Sequence, residues 1–263
     1  MIAVGAHPPI QVMLLGTGTS HGVPMIACDC AVCTSPDPRD RRYRPCAYVR
    51  TEAGALLIDT PPELRLACLA NDVRRCDAVL FTHHHIDHVA GLDDLRRFNW
   101  LQKRAIPCFA QRATIDHLIR MFPYATSEAD DAISAVPQLS FQTVSGPFRA
   151  IEREILPIPL LHGPLPVLGF RIGGFAYCTD VSTIPDESWS LLRNLDVLVL
   201  DALRRRPHPT HFNLDQAVET ARRIGAERTY FTHIAHELGH AQTNAELPAG
   251  MQLAYDGLVL TVE

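Results

Sequence analysis

A short histidine-rich segment holds the residues with the clearest chemical potential. Its ligand-type side chains are His83, His85, Asp87 and His88, in the pattern His-x-His-x-Asp-His. In extended backbone, residues i and i+2 point the same way, so His83 and His85 can hold one metal ion. If the chain then turns into a helix, Asp87 and His88 face the opposite side of the same cavity. Imidazole and carboxylate ligands suit Zn²⁺, Mn²⁺ or Fe²⁺, and two ions would need further ligands downstream.

Further ligand-type residues follow apolar runs later in the chain. His162, Asp180 and His233 each come directly after such a run. Polar residues that emerge at the same end of several strands converge on one edge of a sheet, where open sheets commonly place their sites. We predict that these three complete the metal centre. Asp59 and Asp201 repeat the pattern, and we expect them either to orient the ligands or to cap their strands.

Three of the eight cysteines fall within six residues, as Cys28, Cys30 and Cys33. Three thiolates at this spacing fold readily around a tetrahedral Zn²⁺, and one ligand is left to find. Such a site would be closed and would support folding rather than catalysis. The other five cysteines are scattered through apolar segments, as buried thiols usually are. The N-terminus has no basic region before its short apolar stretch, so we predict no secretory signal and favour free thiols over disulfides.

The hydrophobic pattern predicts the elements that must position these side chains. Short runs rich in Val, Ile, Leu and Phe alternate with longer amphipathic stretches, and no repeat or long linker divides them. The clearest helix is Asn213–Ile224, which has one apolar face and Asn213 as its N-cap. Interleaved strands and helices are typical of an α/β layered domain, here one domain over residues 1–263. The stretch Tyr124–Pro137 is acidic and weakly periodic, and we expect a surface excursion or a lid.

The predicted elements are short and numerous. The strands are predicted at Gln11–Leu15, Ala47–Thr51, Ala55–Ile58, Ala78–Phe81, Cys108–Ala110, Leu139–Val144, Ile155–Leu160, Gly169–Ile172, Ala176–Cys178, Val197–Leu200, Thr229–Phe231 and Leu258–Val262, and the helices at Pro62–Asn71, Asp93–Lys103, Ala113–Phe122, Asp186–Asn194 and Asn213–Ile224.

Composition narrows the class of protein. Lysine plus arginine total 24 and aspartate plus glutamate total 29, which gives a formal charge of −5 over 263 residues. That mild acidity argues against a broad basic face for nucleic acid. The 47% of hydrophobic and 20% of charged residues exclude intrinsic disorder, and no apolar run approaches the roughly 18 residues of a membrane span. We expect a cytoplasmic protein without nucleic-acid or membrane partners, with a homodimer left open.

The order of these residues resembles the metallo-β-lactamase superfamily along almost the full length of the chain. Within that superfamily, the chain looks most like the PhnP-type phosphodiesterases, which hydrolyse a ribose cyclic phosphate in phosphonate breakdown. Beyond the histidine block and His162, Asp180 and His233, the segments that carry the resemblance are Leu15–Pro24, Cys28–Cys33, Arg44–Val49, Thr210–Leu214 and Thr232–His236.

The resemblance implies the metallo-β-lactamase fold, an αβ/βα four-layer sandwich, with a dinuclear metal cleft at one sheet edge. Two divalent ions, Zn or Mn, would lie in that cleft. The implied ligands are His83, His85 and His162 for the first ion, Asp87, His88 and His233 for the second, and Asp180 as the bridge between them.

The same family pattern offers a fourth ligand for the cysteine cluster. His236, three residues after His233, would complete a structural Zn site with the three thiolates. If so, one short loop serves both a catalytic and a structural metal. His240 competes for the same place.

The resemblance implies a metal-dependent hydrolase, a phosphodiesterase that acts on a small (cyclic) phosphodiester. The expected substrate is 5-phosphoribosyl 1,2-cyclic phosphate or a related nucleotide or ribose phosphate. A hydroxide shared by the two ions would attack phosphorus in line with the departing sugar oxygen. Asp87 and His211 are the expected catalytic residues, with His211 as the proton donor to the leaving group. Arg204–Arg206 either contact a substrate phosphate or form a solvated turn.

Three other classes of protein share parts of this pattern. An RNase Z-type tRNA 3′-processing endonuclease shares the metals and a comparable histidine, but the net charge of −5 and the cysteine cluster count against it. A non-catalytic carrier like PqqB shares a cysteine cluster but has a degenerate metal block. A flavodiiron-type redox enzyme usually has a glutamate in place of the second histidine, where this chain has His85.

Overall fold

A computed structural model of the protein describes residues 8–125 and 136–263, and the strands within them form two seven-stranded sheets. The strands are β1 Ile10–Gly16, β2 Cys46–Arg50, β3 Ala55–Ile58, β4 Ala78–Leu80, β5 Ile106–Ala110, β6 Leu139–Thr143, β7 Phe148–Ala150, β8 Arg153–His162, β9 Leu165–Ile172, β10 Phe175–Cys178, β11 Val197–Asp201, β12 Arg228–Thr232, β13 Met251–Leu253 and β14 Leu258–Val262.

The two sheets divide the chain into an earlier and a later part. The first sheet has the order β14-β1-β2-β3-β4-β5-β6, and the second has the order β13-β12-β11-β10-β9-β8-β7. In the first sheet β3 to β6 are parallel, and in the second β10 to β13 are parallel. The last strand, β14, returns to the first sheet and pairs antiparallel with β1.

Within residues 8–125 and 136–263, six α-helices join or follow these strands. The longest is α5, whose N-cap Asn213 forms a capping box with Gln216, and which ends at Gly225 with a φ of 72°. A capping box and a left-handed glycine are common at the two ends of helices. The prediction of this helix is confirmed. The helices are α1 Leu64–Ala70, α2 Ile86–Val89, α3 Arg96–Gln102, α4 Arg112–Met121, α5 Leu214–Ile224 and α6 His240–Glu246.

Side chains of the strands point alternately to the two faces of each sheet, and the buried apolar ones form three clusters. Leu56 and Ile58 of β3 pack in the core between the sheets, whereas Leu57 lies in a second cluster under the helices on the outer face. In β11, Val199 packs in the central core and Leu198 in a third cluster, under helices on the other outer face. Since successive side chains of a strand point to opposite faces, each sheet is covered on both sides. The α/β four-layer sandwich expected from the sequence is confirmed.

Several elements differ from the sequence-based prediction. The helix predicted at Asp186–Asn194 is a 3₁₀ helix over Asp186–Leu192, and that predicted at Asp93–Lys103 is a 3₁₀ turn over Leu92–Leu95 followed by α3. Helix α6 and the three-residue strands β7 and β13 were not predicted. Most of the expected lid, Tyr124–Pro137, lies outside the described residues. In the described part of the chain, no helix is both long and apolar enough to cross a membrane.

Candidate metal centre

The histidine-rich segment forms the loop that leaves β4 and enters α2. His83 comes three residues after the strand ends, and His85 is the N-cap residue of the helix. The expected turn into a helix is therefore present. It places Asp87 and His88 in the first turn of α2, where both are buried.

Three further ligand-type residues come from the second sheet. His162 is the last residue of β8, Asp180 lies two residues beyond β10, and His233 lies one residue beyond β12. Asp180 and His233 have φ angles of 48° and 60°, a left-handed conformation that few residues other than glycine adopt. Such strain persists where the surroundings hold it. At His233 the next residue does so, because the N–H of Ile234 donates to the carbonyl of Thr17 at 2.9 Å.

The structure brings these seven side chains together in two overlapping groups, and Asp180 belongs to both. Its Oδ2 lies 3.7 Å from Nε2 of His83 and 3.9 Å from Nε2 of His162. Its Oδ1 lies 3.2 Å from Nε2 of His88 and 3.3 Å from Nε2 of His233. One carboxylate thus turns a different oxygen to each group. In each group the ligand-type atoms lie within 4.8 Å of one another. The first group is His83, His85, His162 and Asp180, and the second is Asp87, His88, Asp180 and His233.

Four buried imidazole nitrogens in this centre have no hydrogen-bond partner among the described residues. They are the Nε2 atoms of His83, His88 and His233 and Nδ1 of His233, and the three side chains are almost completely buried. A buried polar atom without a partner is unfavourable and calls for an explanation. Nitrogen atoms that converge on carboxylate oxygens are the donor set that Zn²⁺ and Mn²⁺ accept. The residues therefore fit a pair of divalent ions.

The Nδ1 atoms of three of the histidines contact other groups of the protein. Nδ1 of His88 lies 2.7 Å from Oδ2 of Asp59, and Nδ1 of His83 lies 3.0 Å from Oγ1 of Thr82. Nδ1 of His162 lies 2.6 Å from the carbonyl oxygen of Thr210. Partners of this kind fix the ring orientation and leave Nε2 for the metal. Asp59 thus contacts a ligand-type histidine, and its Oδ1 also accepts the N–H of Thr82 at 2.9 Å.

Opposite charges within the centre shift the pKa values of Asp180 and His88. Burial alone would raise the pKa of Asp180, but the charges of His233 and His88 outweigh it and hold that pKa well below its usual range. Burial would lower the pKa of His88, but the carboxylates of Asp180, Asp59 and Asp87 hold it well above its usual range. Because a metal ligand must be the neutral imidazole, a bound cation would displace a proton from His88.

His211 lies beside the metal centre. Its ring stacks on His233, with centroids 4.6 Å apart and planes 15° apart, and lies 4.5 Å from the ring of His162. Its Nδ1 is 2.6 Å from Oδ2 of Asp201. Asp201, also expected to orient a ligand, therefore contacts the expected proton donor instead of one of the seven ligand-type side chains. Asp201, His211 and His233 also form a group of ligand-type atoms within 4.8 Å of one another.

The cysteine cluster is assembled around His236. Nδ1 of His236 lies 3.2 Å from Sγ of Cys28, 3.3 Å from Sγ of Cys30 and 3.6 Å from Sγ of Cys33. Four soft and borderline donors at these distances suit a tetrahedral Zn²⁺. His240 is not part of the group, since its two ring nitrogens lie near the side chains of Arg42 and Asn244.

The surroundings of two cysteine thiols shift their pKa values in opposite directions. The N–H of Cys33 donates to Sγ of Cys30 and is the largest cause of a pKa lowered to about 6 for Cys30, where thiol contacts and His236 add to the effect. Burial raises the pKa of Cys33 to about 11. Cys30 is therefore the more acidic of these two thiols. All eight cysteines of the chain are free thiols.

Two of the functional contacts were not predicted from the sequence. Thr82 directly precedes the histidine block and contacts both Asp59 and His83, so a hydroxyl at the end of β4 was an available signal. Thr210 acts through its backbone carbonyl on His162. No residue type encodes a carbonyl contact, so no pattern could have found it.

Comparison with known proteins places the chain among metal-dependent enzymes. Residues 55–234 match the family model described as the beta-lactamase superfamily domain. The crystal structure of a diphosphatase from the PhnP family is similar over 97% of both chains, with 42% sequence identity and a TM-score of 0.90.

Two curated proteins show more distant or partial similarity. An octanoyltransferase of Porphyromonas gingivalis is 34% identical over an alignment of 264 residues that covers 97% of this chain and 52% of that protein. The chain thus spans about half the length of this relative. A ribonuclease Z of Mycolicibacterium gilvum is 24% identical over 266 residues, which cover 89% of this chain and 87% of that protein.

Proposed function

The chain belongs to the beta-lactamase superfamily and, within it, to the PhnP family, and from this premise we propose that it is a metal-dependent phosphodiesterase. The similarity to a diphosphatase and to a ribonuclease Z supports a hydrolase that acts on phosphate esters. The substrate we propose is a small, cyclic phosphodiester, 5-phosphoribosyl 1,2-cyclic phosphate or a related ribose or nucleotide phosphate.

The position of Asp180 carries this proposal. Its two carboxylate oxygens face two different groups of histidines, which is what a bridging ligand between two ions requires. His83, His85 and His162 would hold the first ion, and Asp87, His88 and His233 the second. When bound, two such ions act as Lewis acids toward phosphoryl oxygens and activate water as a nucleophile.

His211 supplies the proton in the proposed reaction. Burial lowers the pKa of His211, but the charge and hydrogen bond of Asp201 outweigh it and raise the pKa to about 9. The Asp201 carboxylate therefore favours the protonated imidazole, and it holds Nδ1 so that Nε2 is the donating nitrogen. A sugar alkoxide is a basic leaving group and needs that proton as the P–O bond breaks. Asp87 would act as a metal ligand together with His88 and His233, since its Oδ2 lies 3.6 Å from Nε2 of each.

A screen with defined metals tests the proposal. The protein would be loaded with Zn²⁺ or Mn²⁺ and assayed on 5-phosphoribosyl 1,2-cyclic phosphate, 2′,3′-cyclic nucleotides, bis(p-nitrophenyl) phosphate, thioesters and lactones. We expect hydrolysis of the phosphodiesters and little or none of the thioesters and lactones. Absence of phosphodiester hydrolysis with either metal would refute the proposal.

Ribonuclease activity is the second candidate, because the ribonuclease Z similarity extends over most of both chains. The formal charge of −5 disfavours a long RNA partner. Including a precursor tRNA in the same screen separates the two functions. Cleavage at the 3′ end of the tRNA, with small cyclic phosphates left intact, would favour the ribonuclease.

A further inference from the structure

His233 differs from three other ligand-type histidines in how its ring is held. Nδ1 of each of those three contacts a group of the protein, whereas both ring nitrogens of His233 are buried without a hydrogen-bond partner among the described residues. His233 also has a φ of 60°, a conformation that few residues other than glycine adopt. The position of this side chain therefore depends on what holds the backbone around it.

The backbone that follows His233 is bound to the end of β1. The N–H of Ile234 donates to the carbonyl of Thr17 at 2.9 Å, and the N–H of Thr19 donates to the carbonyl of Ile234 at 3.1 Å. Gly18 and Ile234 form a parallel β-bridge. Ile234 is completely buried, so water does not compete strongly for these groups. The segment Thr17–Thr19 thus fixes the residue next to His233.

Thr17 is itself held by a buried arginine. Nη1 of Arg42 donates to Oγ1 of Thr17 at 2.9 Å and to the carbonyl of Ala254 at 2.5 Å. Thr17 follows β1 of the first sheet and Ala254 follows β13 of the second, so one guanidinium joins the two sheets. The N–H of Ala254 donates to the carbonyl of Phe231 at 2.8 Å, in the strand that leads to His233. Through these two partners, Arg42 is linked to the backbone on both sides of His233.

The burial of Arg42 is unfavourable and calls for a reason. Its side chain is 2% exposed, and no carboxylate among the described residues lies at ion-pair distance from it. Thr17 connects the guanidinium to a carboxylate instead, because Oγ1 of Thr17 donates to Oδ1 of Asp256 at 2.7 Å. A buried cation without a direct partner destabilises the fold relative to an apolar side chain of similar size. The contacts that Arg42 makes are therefore the reason to have a cation at this position.

The two glycines beside Thr17 allow the arginine to approach it. A Cβ at Gly18 would lie 2.9 Å from Cβ of Arg42 and 3.0 Å from its carbonyl oxygen, which is closer than such atoms pack. A Cβ at Gly16 would overlap the carbonyl of Arg44. Glycine is the residue that permits such close approach of two backbones. The Gly-Thr-Gly sequence after β1 thus lets Arg42 reach the threonine hydroxyl.

We propose that Arg42 is a positioning residue for the second ion of the metal centre, and that it acts on His233 through the hydroxyl of Thr17. This inference rests on the proposed function, of which it uses only the metal centre. Arg42 replaces the side-chain partner that the ring of His233 lacks, because it fixes the backbone from which the ring projects. Groups that support metal ligands contribute about 10- to 100-fold in metal affinity. Loss of this support should weaken the second ion and leave the first unchanged.

Metal titrations of variants at Thr17 test this role. After mild chelation, calorimetry with Mn²⁺, which suits carboxylate ligands better than thiolates, measures the affinity of each ion in wild type, Thr17→Val and Thr17→Ser. Asp87→Asn alters a ligand of the second group alone and shows which binding step belongs to that group. We expect Thr17→Val to weaken that step about 10- to 100-fold and Thr17→Ser to restore it. With two equivalents of Mn²⁺, electron paramagnetic resonance should show a coupled pair in wild type and mainly isolated ions in Thr17→Val.

Two arginine variants separate positioning from a general loss of stability. Arg42→Met should weaken the same step as Thr17→Val, and if Arg42→Met does not fold, the Thr17 variants decide. Arg171→Met is the matched control, because Arg171 also donates to backbone carbonyls, those of Gly173 at 2.8 Å and Leu191 at 2.7 Å. Arg171 lies near the start of β10, whereas the metal centre lies beyond its end. The control should keep both affinities even if its unfolding temperature falls.

Three results would overturn the inference. They are wild-type affinity for the second ion in Thr17→Val, equal weakening of both steps in Thr17→Val, and the same weakening in Arg171→Met. A wild type that binds fewer than two Mn²⁺ would overturn it as well, whatever the protein hydrolyses.

The titration also separates this inference from the proposed function. If the wild type binds two Mn²⁺ but hydrolyses no phosphodiester, the proposed function is wrong, and the affinities of Thr17→Val still decide the role of Arg42. If phosphodiesters are hydrolysed and Thr17→Val binds both ions as the wild type does, the inference is wrong and the phosphodiesterase stands.

Discussion

Oδ2 of Asp201 lies 2.6 Å from Nδ1 of His211, and the same oxygen accepts the N–H of Val181 at 2.9 Å. Val181 follows Asp180, whose backbone has a positive φ. One carboxylate oxygen at the end of β11 thus holds both the proposed proton donor and the backbone beside the proposed bridging ligand. Asp201 is completely buried, and its charge therefore acts on His211 with little screening by water.

The first prediction concerns the pH dependence of turnover. His211 must be protonated to donate, so kcat should fall as the pH rises through the pKa of His211, which Asp201 holds above its usual value. Asp201→Asn removes the negative charge and lowers that pKa, so the alkaline limb of the kcat profile should move to lower pH. Asp59→Asn is the matched control, because Asp59 contacts the ligand-type His88. It should weaken metal binding instead. The same alkaline limb in wild type and Asp201→Asn would contradict the pairing.

The second prediction concerns the leaving group. A general acid contributes about 10²- to 10⁴-fold when the leaving group is basic, whereas p-nitrophenolate needs little protonation. His211→Ala should therefore slow hydrolysis of a ribose or alkyl phosphodiester far more than that of a p-nitrophenyl diester. Metal content, measured by mass spectrometry, should be retained. Equal losses on both substrates, or loss of metal, would remove His211 from the role of proton donor.

The third prediction concerns the bridge. Asp180→Ala removes the carboxylate whose two oxygens face the two histidine groups, so turnover should be abolished and metal content should fall. Asp72→Ala is the control, since Asp72 is exposed and pairs with the exposed Arg74. It should keep its metal. Full metal occupancy with normal turnover in Asp180→Ala would show that Asp180 is not the bridge.

The fourth prediction concerns the cysteine cluster. The folded chain should hold about three metal ions, two labile and one that resists mild chelation, because a closed thiolate site binds Zn²⁺ tightly. Cys30→Ser should release the resistant ion and lower the unfolding temperature. Cys68→Ser is the control, because Cys68 lies outside the group around His236. An unchanged metal count in Cys30→Ser would show that the cluster holds no metal.

The ligand-type residues could be predicted because strand ends are visible in a sequence. Apolar runs mark β8, β10 and β12, and a polar residue at the end of each run must lie at the sheet edge. The partner of Asp201 could not be predicted in this way. The position of Asp201 at a strand end does not show whether it contacts a metal ligand or His211. Helix α6 gave no signal because the buried side chains within it are the polar His240 and Thr243, which leave no apolar stripe to detect.

Each of the two ligand groups draws on both sheets. His83 and Asp87 leave the first sheet, whereas His162 and His233 leave the second. An ion bound in either group is therefore a cross-link between segments far apart in the chain, and the site for it exists only where the fold brings those segments together. The ions would clamp the two halves of the sandwich against separation. By mass action, the unfolding temperature should then rise with the concentration of free metal.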